Sequence, residues 1–377
     1  MPLQVRIGRR VPGAMRGDLG RALSGHAPTS RRPSAVLVIG GSEHLTVTTE
    51  LHVDVDAADR EHVPYLSPRS FDLDQYALFA VGEWVDEVSL LLGGGAAPRV
   101  HAASFVDDER TWVVAGASNA GKTTLALDAV GRGATYLTDE RITVRGRSDH
   151  AGVEISGLAQ PLRIRGDLAD RPESPAARFV GATGRDAFRE LLFCDQFGSV
   201  ERGWVAPTDL LVLHDEPPER TTRGWVVRQL LEQCQDAVRI GPEALVPLAQ
   251  LANSTRVHVA AGRTLRSVTD VGSPVLDPAT EPPTLLPPTT DQAPVGLRAG
   301  DGVRTLVVGR DECLIWLPGG RAAVIEVAGT AAQWWRSLVD GGPVAVDGEW
   351  APFVAQLGAL GAVAAPEDPP YRDPDGR

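Results

Sequence analysis

Lysine is almost absent from this sequence of 377 residues. Of its 37 basic residues only Lys122 is a lysine, and all the others are arginines. Arginine carries a planar fork, whereas lysine carries a compact ammonium group on a flexible stem that can reach between the β- and γ-oxygens of a nucleotide. Because the lone lysine lies within GASNAGKTT, residues 116–124, we expect a phosphate site there.

Cysteine and long apolar runs are also scarce. Cys194, Cys234 and Cys313 lie 40 and 79 residues apart, a spacing that forms neither a metal knuckle nor an even disulfide set and that suits a reducing compartment. No stretch approaches the ~20 uninterrupted apolar residues of a membrane span, and no apolar run follows the early arginines as in a secretion signal. We therefore expect a cytoplasmic protein with no membrane partner.

The chain has no excess of positive charge. Its formal net charge of -12 disfavours a nucleic-acid partner, because phosphate contacts need a concentrated basic face. The one basic stretch, residues 1–33, carries seven arginines and a single acidic residue, Asp18. Since it shows no helical apolar stripe, the sequence favours a flexible basic tail over a docking arm.

Length and composition allow more than one domain. With 377 residues, 43% of them apolar, the chain can bury two or three separate cores. We expect an α/β core between an N-terminal α+β region and a C-terminal α+β domain. The predicted units are a flexible basic tail over 1–33, an N-terminal α+β region over 34–98, an α/β domain over 99–271, a proline-rich linker over 272–295, a small α+β domain over 296–365 and a tail over 366–377.

Hydrophobic periodicity supports these units. Residues 45–55 alternate apolar and polar side chains, which predicts a half-buried strand, and residues 75–92 repeat apolar residues every three or four positions, which predicts a helix. Residues 99–146 follow a strand, loop, helix, strand pattern, which is typical of an α/β layer with ligands at the carboxyl ends of its strands. Seven prolines in 272–295 predict a semi-rigid, extended linker that cannot form a packed layer.

The stretch around Lys122 fits G-x-x-x-x-G-K-[ST] between an apolar strand and a helix, which is the context that a phosphate-binding loop requires. Backbone N–H groups from Ser118 to Lys122 can surround a β-phosphate, and Thr123 can offer its hydroxyl to Mg²⁺. The alternative is a tight glycine turn between a strand and a helix. The predicted nucleotide-binding residues are Gly116, Ala117, Ser118, Asn119, Ala120, Gly121, Lys122, Thr123 and Thr124.

Two neighbouring carboxylates follow the loop. Asp139 and Glu140 begin 17 residues after Lys122, at the end of the next strand, which in a parallel sheet can lie beside the first. One carboxylate could complete the Mg²⁺ shell while the other accepts a proton from an attacking hydroxyl; the alternative is a solvated turn. His101, 15 residues before the loop, and Glu154 are isolated candidates on spacing alone.

A second acidic stretch suggests a different function. In DLLVLHDE, residues 209–216, four apolar residues precede His214, Asp215 and Glu216. The magnesium-binding strand of a phosphate-loop ATPase has this form, with Glu216 polarising a water molecule. The same pattern is typical of a buried strand that ends in a solvated turn.

Residues 99–144 resemble the catalytic domain of HPr kinase/phosphorylase, the bacterial serine kinase built on a phosphate loop. The shared features are a histidine before the loop, the loop itself, an Arg-Gly pair after the helix, and two acidic residues with an arginine after the next strand: His101, 116–123, Arg132, Gly133, Asp139, Glu140 and Arg141. VEISGL, residues 153–158, resembles the start of that family's Glu-Ile-Arg-Gly signature.

This resemblance implies an HPr-kinase-like P-loop fold over 99–271 that uses ATP and Mg²⁺. Together with the chemistry above, it implies His101, Lys122 and Asp139 as catalytic residues, and Thr123, Glu140 and Glu154 as metal ligands. The sequence departs from the family where Asn119 replaces a usual glycine, Glu140 the second aspartate and Ser156 the signature arginine. It is therefore more similar to the divergent HPr-kinase-related proteins found with ribosomally made, modified peptides.

The C-terminal stretch resembles a small peptide-recognition domain. Predicted strands followed by GTAAQWWRSLVDGGPV and an apolar helix are similar to the winged-helix PqqD type, which captures a leader peptide along a strand edge. Trp334 and Trp335 in this stretch are candidates either for the core or for the peptide pocket.

These observations favour an ATP- and Mg²⁺-dependent serine/threonine-type kinase that acts on a ribosomal precursor peptide or small protein. The C-terminal domain would hold the leader, and the linker would tether it near the site and raise its effective concentration. Homo-oligomers are compatible with this function. Two alternatives stay open: a phosphate-loop ATPase or GTPase switch that uses Asp215 and Glu216, and a peptide-binding adaptor with reduced catalysis.

Overall fold

The computed structural model is a mixed α/β fold with several sheets. The structure describes residues 3–23, 35–40, 44–51, 69–72, 80–82, 84–85, 88, 97–147, 152–157, 160–165, 184–185, 189–192, 196, 198–201, 203–234, 236–262, 265–286, 298–300, 302–318, 323–342 and 344–364. None of the helices in these ranges has the length and apolar character needed to cross a lipid bilayer.

Strands outnumber helices in these ranges. In chain order the strands are β1 (Leu3–Ile7), β2 (Ala35–Gly40), β3 (His44–Leu51), β4 (Arg69–Asp72), β5 (Arg99–Val100), β6 (Ala102–Asp107), β7 (Arg110–Gly116), β8 (Thr135–Thr138), β9 (Ile142–Gly146), β10 (Val153–Gly157), β11 (Leu162–Arg165), β12 (Gly184–Arg185), β13 (Arg189–Leu192), β14 (Asp209–Leu213), β15 (Arg256–Ala260), β16 (Thr284–Leu285), β17 (Arg298–Ala299), β18 (Arg304–Gly309), β19 (Glu312–Leu317), β20 (Ala323–Ala328) and β21 (Val363–Ala364). The α-helices are α1 (Gly13–Ala22), α2 (Lys122–Arg132), α3 (Arg223–Glu232), α4 (Ala237–Ile240), α5 (Leu245–Ser254), α6 (Thr330–Val339) and α7 (Ala351–Ala359).

The N-terminal unit is a four-stranded sheet in the order β1-β2-β3-β4. β3 confirms the strand predicted over 45–55 as far as residue 51, and residues 52–55 lie outside the described part. Of the helix predicted over 75–92, the described positions 80–82, 84–85 and 88 are helical. The core of this unit contains buried side chains from β2, β3 and these helical positions: Leu37, Ile39, Leu45, Val47, Val81, Trp84, Val85 and Val88.

Residues 3–22 are not a flexible tail, and the expectation for 1–33 is wrong there. β1 pairs in parallel with β2, and α1 with its flanks packs on the same core through Val11, Met15, Leu19 and Leu23. These four residues recur every fourth position, which is one face of a helix. This apolar stripe is narrow, and charged residues such as the exposed Arg16 dominate the composition of the stretch. For this reason the sequence does not reveal the helix.

The central sheet has the order β15-β14-β7-β6-β8. β7, β14 and β15 run parallel, while β6 lies antiparallel between β7 and β8. The expectation that β8 lies beside β7 is therefore wrong. A two-residue turn at Asp108 and Glu109, with φ of 48° and 64°, pairs β6 with β7 as a hairpin, and this pairing occupies that side of β7.

Both faces of the central sheet are covered. Val113 and Val114 are neighbours on β7, and their side chains enter two different cores. On one face α2 packs Leu125 and Ala129 against β6 and β7. On the other face α3 and α5 form a larger core, which also receives β9 and β10 of the antiparallel sheet β10-β9-β5. A further small sheet has the order β11-β13-β12.

A buried charge cluster connects the amino ends of the three parallel strands. Asp209 on β14 is fully buried and accepts hydrogen bonds from Arg110 on β7 and from Arg256 on β15, with His258 Nε2 at 3.0 Å. Although burial opposes ionisation, the hydrogen bonds from His258, Arg110 and Thr208 hold the pKa of Asp209 well below its usual range. The cluster is therefore expected to fix the register of these strands.

The C-terminal unit is the antiparallel sheet β16-β18-β19-β20 with α6, α7 and the short pair β17-β21. Alternate residues of β19 face two cores: Leu314 and Trp316 join the core of α3 and α5, while Ile315 packs with α6. On α6, Trp335 is fully buried and donates to Thr305 Oγ1 at 2.8 Å, and Trp334 donates to the Ala345 carbonyl oxygen at 2.7 Å. Both tryptophans are core residues in this arrangement.

The first part of the predicted linker lies on the protein. The Val257 N–H of β15 donates to the Leu276 carbonyl oxygen at 2.8 Å, and β16 pairs with β18. The expectation that 272–295 forms no packed layer is therefore wrong for 272–286, and residues 287–295 lie outside the described part. Prolines are tolerated at a sheet edge because only alternate residues there need an N–H for pairing.

Two carboxylates of the C-terminal sheet dock it on the start of α3. Glu312 Oε2 accepts from the Gly224 N–H at 3.0 Å, and Glu326 accepts from the hydroxyl of Thr222, the residue that caps the helix. The unpaired N–H groups and the dipole at a helix N-terminus both favour a negative charge. This contact and the shared core fix the C-terminal sheet on the central unit, so the linker is not a free tether.

We expect Glu312→Gln to lower the free energy of unfolding by about 1 kcal/mol, because the helix N-terminus loses its charged acceptor. Urea unfolding followed by circular dichroism measures the change. The matched control is Glu349→Gln, an exposed carboxylate of the same unit, for which we expect a change within about 0.5 kcal/mol. Equal effects of the two substitutions would contradict the docking role of Glu312.

Candidate functional site

The glycine loop and both acidic stretches meet at one edge of the central sheet. Gly116 at the end of β7 pairs with Leu213 at the end of β14. Across β6, Thr138 at the end of β8 pairs with Ser104. The carboxyl ends of β7, β8 and β14 therefore lie together, where open α/β sheets generally bind ligands.

The glycine loop, residues 116–121, connects β7 to α2. Its tip is a tight turn in which the Ala120 N–H donates to the Ala117 carbonyl oxygen at 3.1 Å, and Ala117, Ser118 and Asn119 are exposed. Gly121 precedes the helix with φ of 110°, a conformation that glycine adopts without strain. Because the first N–H groups of a helix lack intrahelical acceptors, the start of α2 can bind an anion such as phosphate.

Asn119, at a position where the resembled family usually has glycine, takes a left-handed backbone conformation. Its φ is 65°, in the left-handed region that glycine adopts most easily. Among the other residues, asparagine is one of those that enter this region at the smallest cost. Asparagine at position 119 is therefore compatible with this turn.

A second glycine segment closes against the loop. Gly262, two residues after β15, lies so near Ala120 that a Cβ added to it would stand 2.5 Å from the Ala120 carbonyl oxygen. A Cβ on Gly121 would likewise stand 2.9 Å from the Gly262 carbonyl oxygen. The segment after β15 thus packs directly against the glycine loop. A side chain at position 262 would have to displace the loop backbone at Ala120.

Lys122 is the first residue of α2 and its side chain is buried, with 5% of its surface exposed. Its ammonium donates to the carbonyl oxygens of Gly116 at 2.7 Å and Ala117 at 3.0 Å. Burial lowers the pKa of Lys122 to about 8, although the nearby Glu140 and Asp139 oppose this shift. The ammonium of the single lysine therefore lies against the loop where the sequence predicts a phosphate group.

Asp139 is buried next to the loop, with both carboxylate oxygens in contact with hydroxyl groups. The Thr123 hydroxyl donates to Oδ2 at 3.1 Å, and the Tyr136 hydroxyl lies 3.2 Å from Oδ1. Burial and then the charge of Glu140 raise the pKa of Asp139 to about 7, against the hydrogen bonds from Thr123 and Tyr136 and the charge of Lys122. This hydrogen bond joins Asp139 directly to the first turn of α2.

Glu140 and His101 form the outer part of the site. His101 Nδ1 lies 3.6 Å from Glu140 Oε1, and both side chains are about one quarter exposed. Burial, and then the positive charges of Lys122 and Arg141, lower the pKa of His101 to about 4, so its imidazole is neutral at neutral pH. The structure therefore brings together His101, the loop lysine and both predicted carboxylates.

Glu154 lies outside this cluster, which corrects the expectation that it joins the metal site. It pairs across the β9–β10 hairpin with Arg145, whose Nη2 lies 2.8 Å from Glu154 Oε2. The residue of β10 nearest the site is Gly157, which packs on Thr138. Glu154 precedes Gly157 by three positions, roughly 10 Å of extended strand. The hairpin carries its carboxylate away from the loop.

The rival acidic residues lie at the same sheet edge but in a different setting. His214, Asp215 and Glu216 follow β14, directly beside the end of β7, and the two carboxylates are exposed. The Glu216 N–H donates to His214 Nδ1 at 3.1 Å, which makes this stretch a turn. The geometry therefore agrees with the alternative of a solvated turn. Asp215 and Glu216 lie at the exposed border of the site, beside the end of β7.

Sequence reasoning missed Tyr136 and Gly262. Tyr136 belongs to a short apolar strand, and the sequence pattern predicts an ordinary core residue at this position. Gly262 belongs to an Ala-Gly pair after a strand, which is a weak turn signal. Only the pairing of β8 with β6 and of β15 with β14 brings these residues to the loop.

We expect Asp139→Asn to stabilise the fold at pH 8 in metal-chelating buffer. The pKa of Asp139 is raised from 3.8 to about 7 in the folded state, so ionisation opposes folding increasingly between these values and fully above pH 7. The gain in unfolding free energy is at most ~4 kcal/mol at pH 8 and vanishes below pH 4. Urea titrations across this pH range measure it.

Asp128→Asn on the exposed side of α2 is the matched control, because Asp128 pairs with Arg132 at the surface. We expect its effect on stability to be small and without the same rise between pH 4 and pH 7. A gain from Asp139→Asn that does not depend on pH would contradict the raised pKa of Asp139.

Neither a protein-family model nor a curated protein matches this sequence. Among solved structures, the chain is similar to the Hpr(Ser) kinase/phosphatase from Coxiella burnetii, with 18% sequence identity and a TM-score of 0.22. The similarity covers 33% of this chain and 62% of that chain, so this chain spans less than two thirds of the protein that it matches. What this chain does is therefore inferred from its own side chains.

Proposed function

We propose that this protein is an ATP- and Mg²⁺-dependent kinase that transfers the γ-phosphoryl group to a serine or threonine hydroxyl of a peptide or small protein. The observation that carries the proposal is the Thr123–Asp139 hydrogen bond, which joins a glycine loop holding the only lysine to a buried carboxylate. A glycine turn without function would not need a buried ammonium and a buried carboxylate beside it, because burying ionisable groups is costly.

The residues around the loop fit a nucleotide phosphate. The ammonium of Lys122, now bound to loop carbonyl oxygens, can turn to β- and γ-phosphate oxygens, and the first N–H groups of α2 could bind the same phosphates. Lys122 would then neutralise charge that develops as the bond between the γ-phosphorus and its bridging oxygen breaks.

The donor set also fits Mg²⁺. Thr123 and Glu140 supply hard oxygen ligands beside the loop, as this ion prefers. Within the described ranges no cluster of three or more His, Cys, Asp or Glu side chains could hold a metal by itself. Such a site agrees with a cation bound by one or two side chains and by substrate phosphates. Thr123 and Glu140 would hold the ion, which when bound would offset the negative charge of the nucleotide phosphates.

Asp139 is the proposed general base. It would take the proton of the acceptor hydroxyl as the acceptor oxygen bonds to the γ-phosphorus, and ADP would leave from the opposite side. The position of Asp139 one hydrogen bond from Thr123 supports this role. His101 would act as a neutral hydrogen-bonding group near the γ-phosphate, since its imidazole lies beside Glu140.

We propose the C-terminal unit as the PqqD-like domain that binds a leader peptide along its sheet edge. β20 is the last strand of this sheet and could accept a further strand through backbone hydrogen bonds. Because the sheet is docked on α3, the leader would be held at a fixed place relative to the catalytic edge.

A phosphate-loop ATPase or GTPase is the second candidate, since Asp215 and Glu216 follow the strand next to the loop. We place this candidate second because Asp215 and Glu216 are exposed residues of a turn, whereas Asp139 is buried beside the loop. The third candidate is a peptide-binding adaptor.

The test is phosphoryl transfer from ATP labelled at the γ-phosphate, in Mg²⁺, to short precursor peptides encoded beside the gene. We expect an added phosphate in the intact peptide mass. Asp139→Asn should reduce kcat at least about 100-fold, because general-base catalysis contributes this much. The control Asp215→Asn, at the same sheet edge, should keep kcat within about threefold.

Other outcomes would contradict the kinase. Released phosphate without labelled peptide, abolished by Asp215→Asn and retained by Asp139→Asn, would support the ATPase. The adaptor would be supported if neither labelled peptide nor released phosphate is formed and leader-peptide binding survives Lys122→Ala.

We expect Gly262→Ala to weaken ATP binding about tenfold, because its Cβ would collide with the Ala120 carbonyl oxygen and shift the loop. Isothermal titration calorimetry measures the affinity. The control is Gly272→Ala, where a Cβ would meet no atom within 4 Å. Unchanged affinity in Gly262→Ala would show that the segment after β15 does not shape the nucleotide site.

A further inference from the structure

Tyr136 is a fully buried tyrosine whose hydroxyl reaches into the candidate site. The hydroxyl lies 3.2 Å from Asp139 Oδ1 and 3.2 Å from the Gln160 carbonyl oxygen. A phenylalanine would fill the same apolar space without bringing a polar group into the core, so the hydroxyl needs its own explanation.

Two hydroxyl groups hold the Asp139 carboxylate from its two sides. Thr123 donates to Oδ2 and Tyr136 can donate to Oδ1. The terminal torsion of an aspartate is broad, so a single hydrogen bond would leave the carboxylate plane free to turn. With both oxygens held, the plane is fixed, and each oxygen still keeps a lone pair for a reacting proton.

The backbone of Tyr136 is itself held on two sides. Its N–H donates to the Ser199 carbonyl oxygen at 3.0 Å, and its carbonyl oxygen accepts from the Glu201 N–H at 2.8 Å. On the other side of β8, Tyr136 pairs with Phe105 of β6. The hydroxyl therefore has a fixed position against which the carboxylate can be oriented.

The Gln160 carbonyl oxygen gives the Tyr136 hydroxyl a second acceptor. A hydroxyl has one proton, which it can direct to Asp139 Oδ1 while the carboxylate is ionised. Once Asp139 has taken the proton of the acceptor hydroxyl, its neutral carboxyl group is a weaker acceptor, and Tyr136 can turn its own proton to the Gln160 carbonyl oxygen. The contact fits both states through which a general base passes.

We infer that Tyr136 is a positioning residue, which orients the Asp139 carboxylate toward the hydroxyl that accepts the phosphoryl group. The inference rests on the proposed kinase function. A productive geometry must be held within about 0.5 Å by neighbouring groups, and removal of such a neighbour typically reduces the rate about 10- to 100-fold.

The test is Tyr136→Phe in the peptide phosphorylation assay. We expect kcat to fall about 10- to 100-fold while the KM for ATP stays within about twofold, because the hydroxyl orients the base and does not touch the nucleotide. The matched control is Ser104→Ala on the adjacent β6, which removes another buried hydroxyl, one that donates to the Trp112 carbonyl oxygen at 2.8 Å. We expect it to change kcat by less than about threefold.

An unchanged kcat in Tyr136→Phe, with active wild type, would overturn the inference and leave the kinase standing. Equal losses in Tyr136→Phe and Ser104→Ala would also overturn it, since they would reflect weakened packing. No transfer by the wild type would remove the proposed function and the inference together. Tyr136→Met is a second variant without the hydroxyl, to be used in the same assay if Tyr136→Phe is not recovered folded.

Discussion

The hydrogen bond between Thr123 and Asp139 joins two parts of the chain that are not neighbours in the sheet. Thr123 belongs to the helix that follows β7, and Asp139 follows β8, with β6 between the two strands. The bond can form only because the carboxyl ends of both strands reach the same edge. Lys122 and Glu140, the chain neighbours of the two bonded residues, are brought to the loop by the same meeting of strand ends, and His101 lies beside Glu140.

Burial at this edge moves the ionisable groups toward their neutral forms. It raises the pKa of Asp139 and lowers the pKa values of Lys122 and His101, although the groups lie beside one another. The burial of these ionisable groups by itself lowers the stability of the folded state. At the opposite edge of the same strands, Asp209 has two arginines and His258 as partners, and there burial is compensated. Charges are thus compensated at one end of the sheet, while the other end holds ionisable groups with shifted pKa values, and such groups cluster at functional sites.

The C-terminal sheet belongs to the same packed body as the central sheet with the glycine loop. Its strands contribute Leu314 and Trp316 to the core of α3 and α5, and its carboxylates Glu312 and Glu326 contact the start of α3. That helix follows the turn that carries Asp215 and Glu216. Under the proposed function, a leader peptide on the C-terminal sheet would lie at a set distance from the loop, so the acceptor residue would need a matching spacing from the leader.

The sequence by itself determined the loop, its lysine, the two following carboxylates and the strand and helix periods, because each depends on residues close together in the chain. It did not reveal that 3–22 is folded, that 272–286 packs on the protein, or that Glu154 lies away from the site. Those features, and the contacts of Tyr136 and Gly262 with the site, were decided by the tertiary structure. They depend on which strands pair and in what register, and such long-range pairing leaves only a weak trace in local composition.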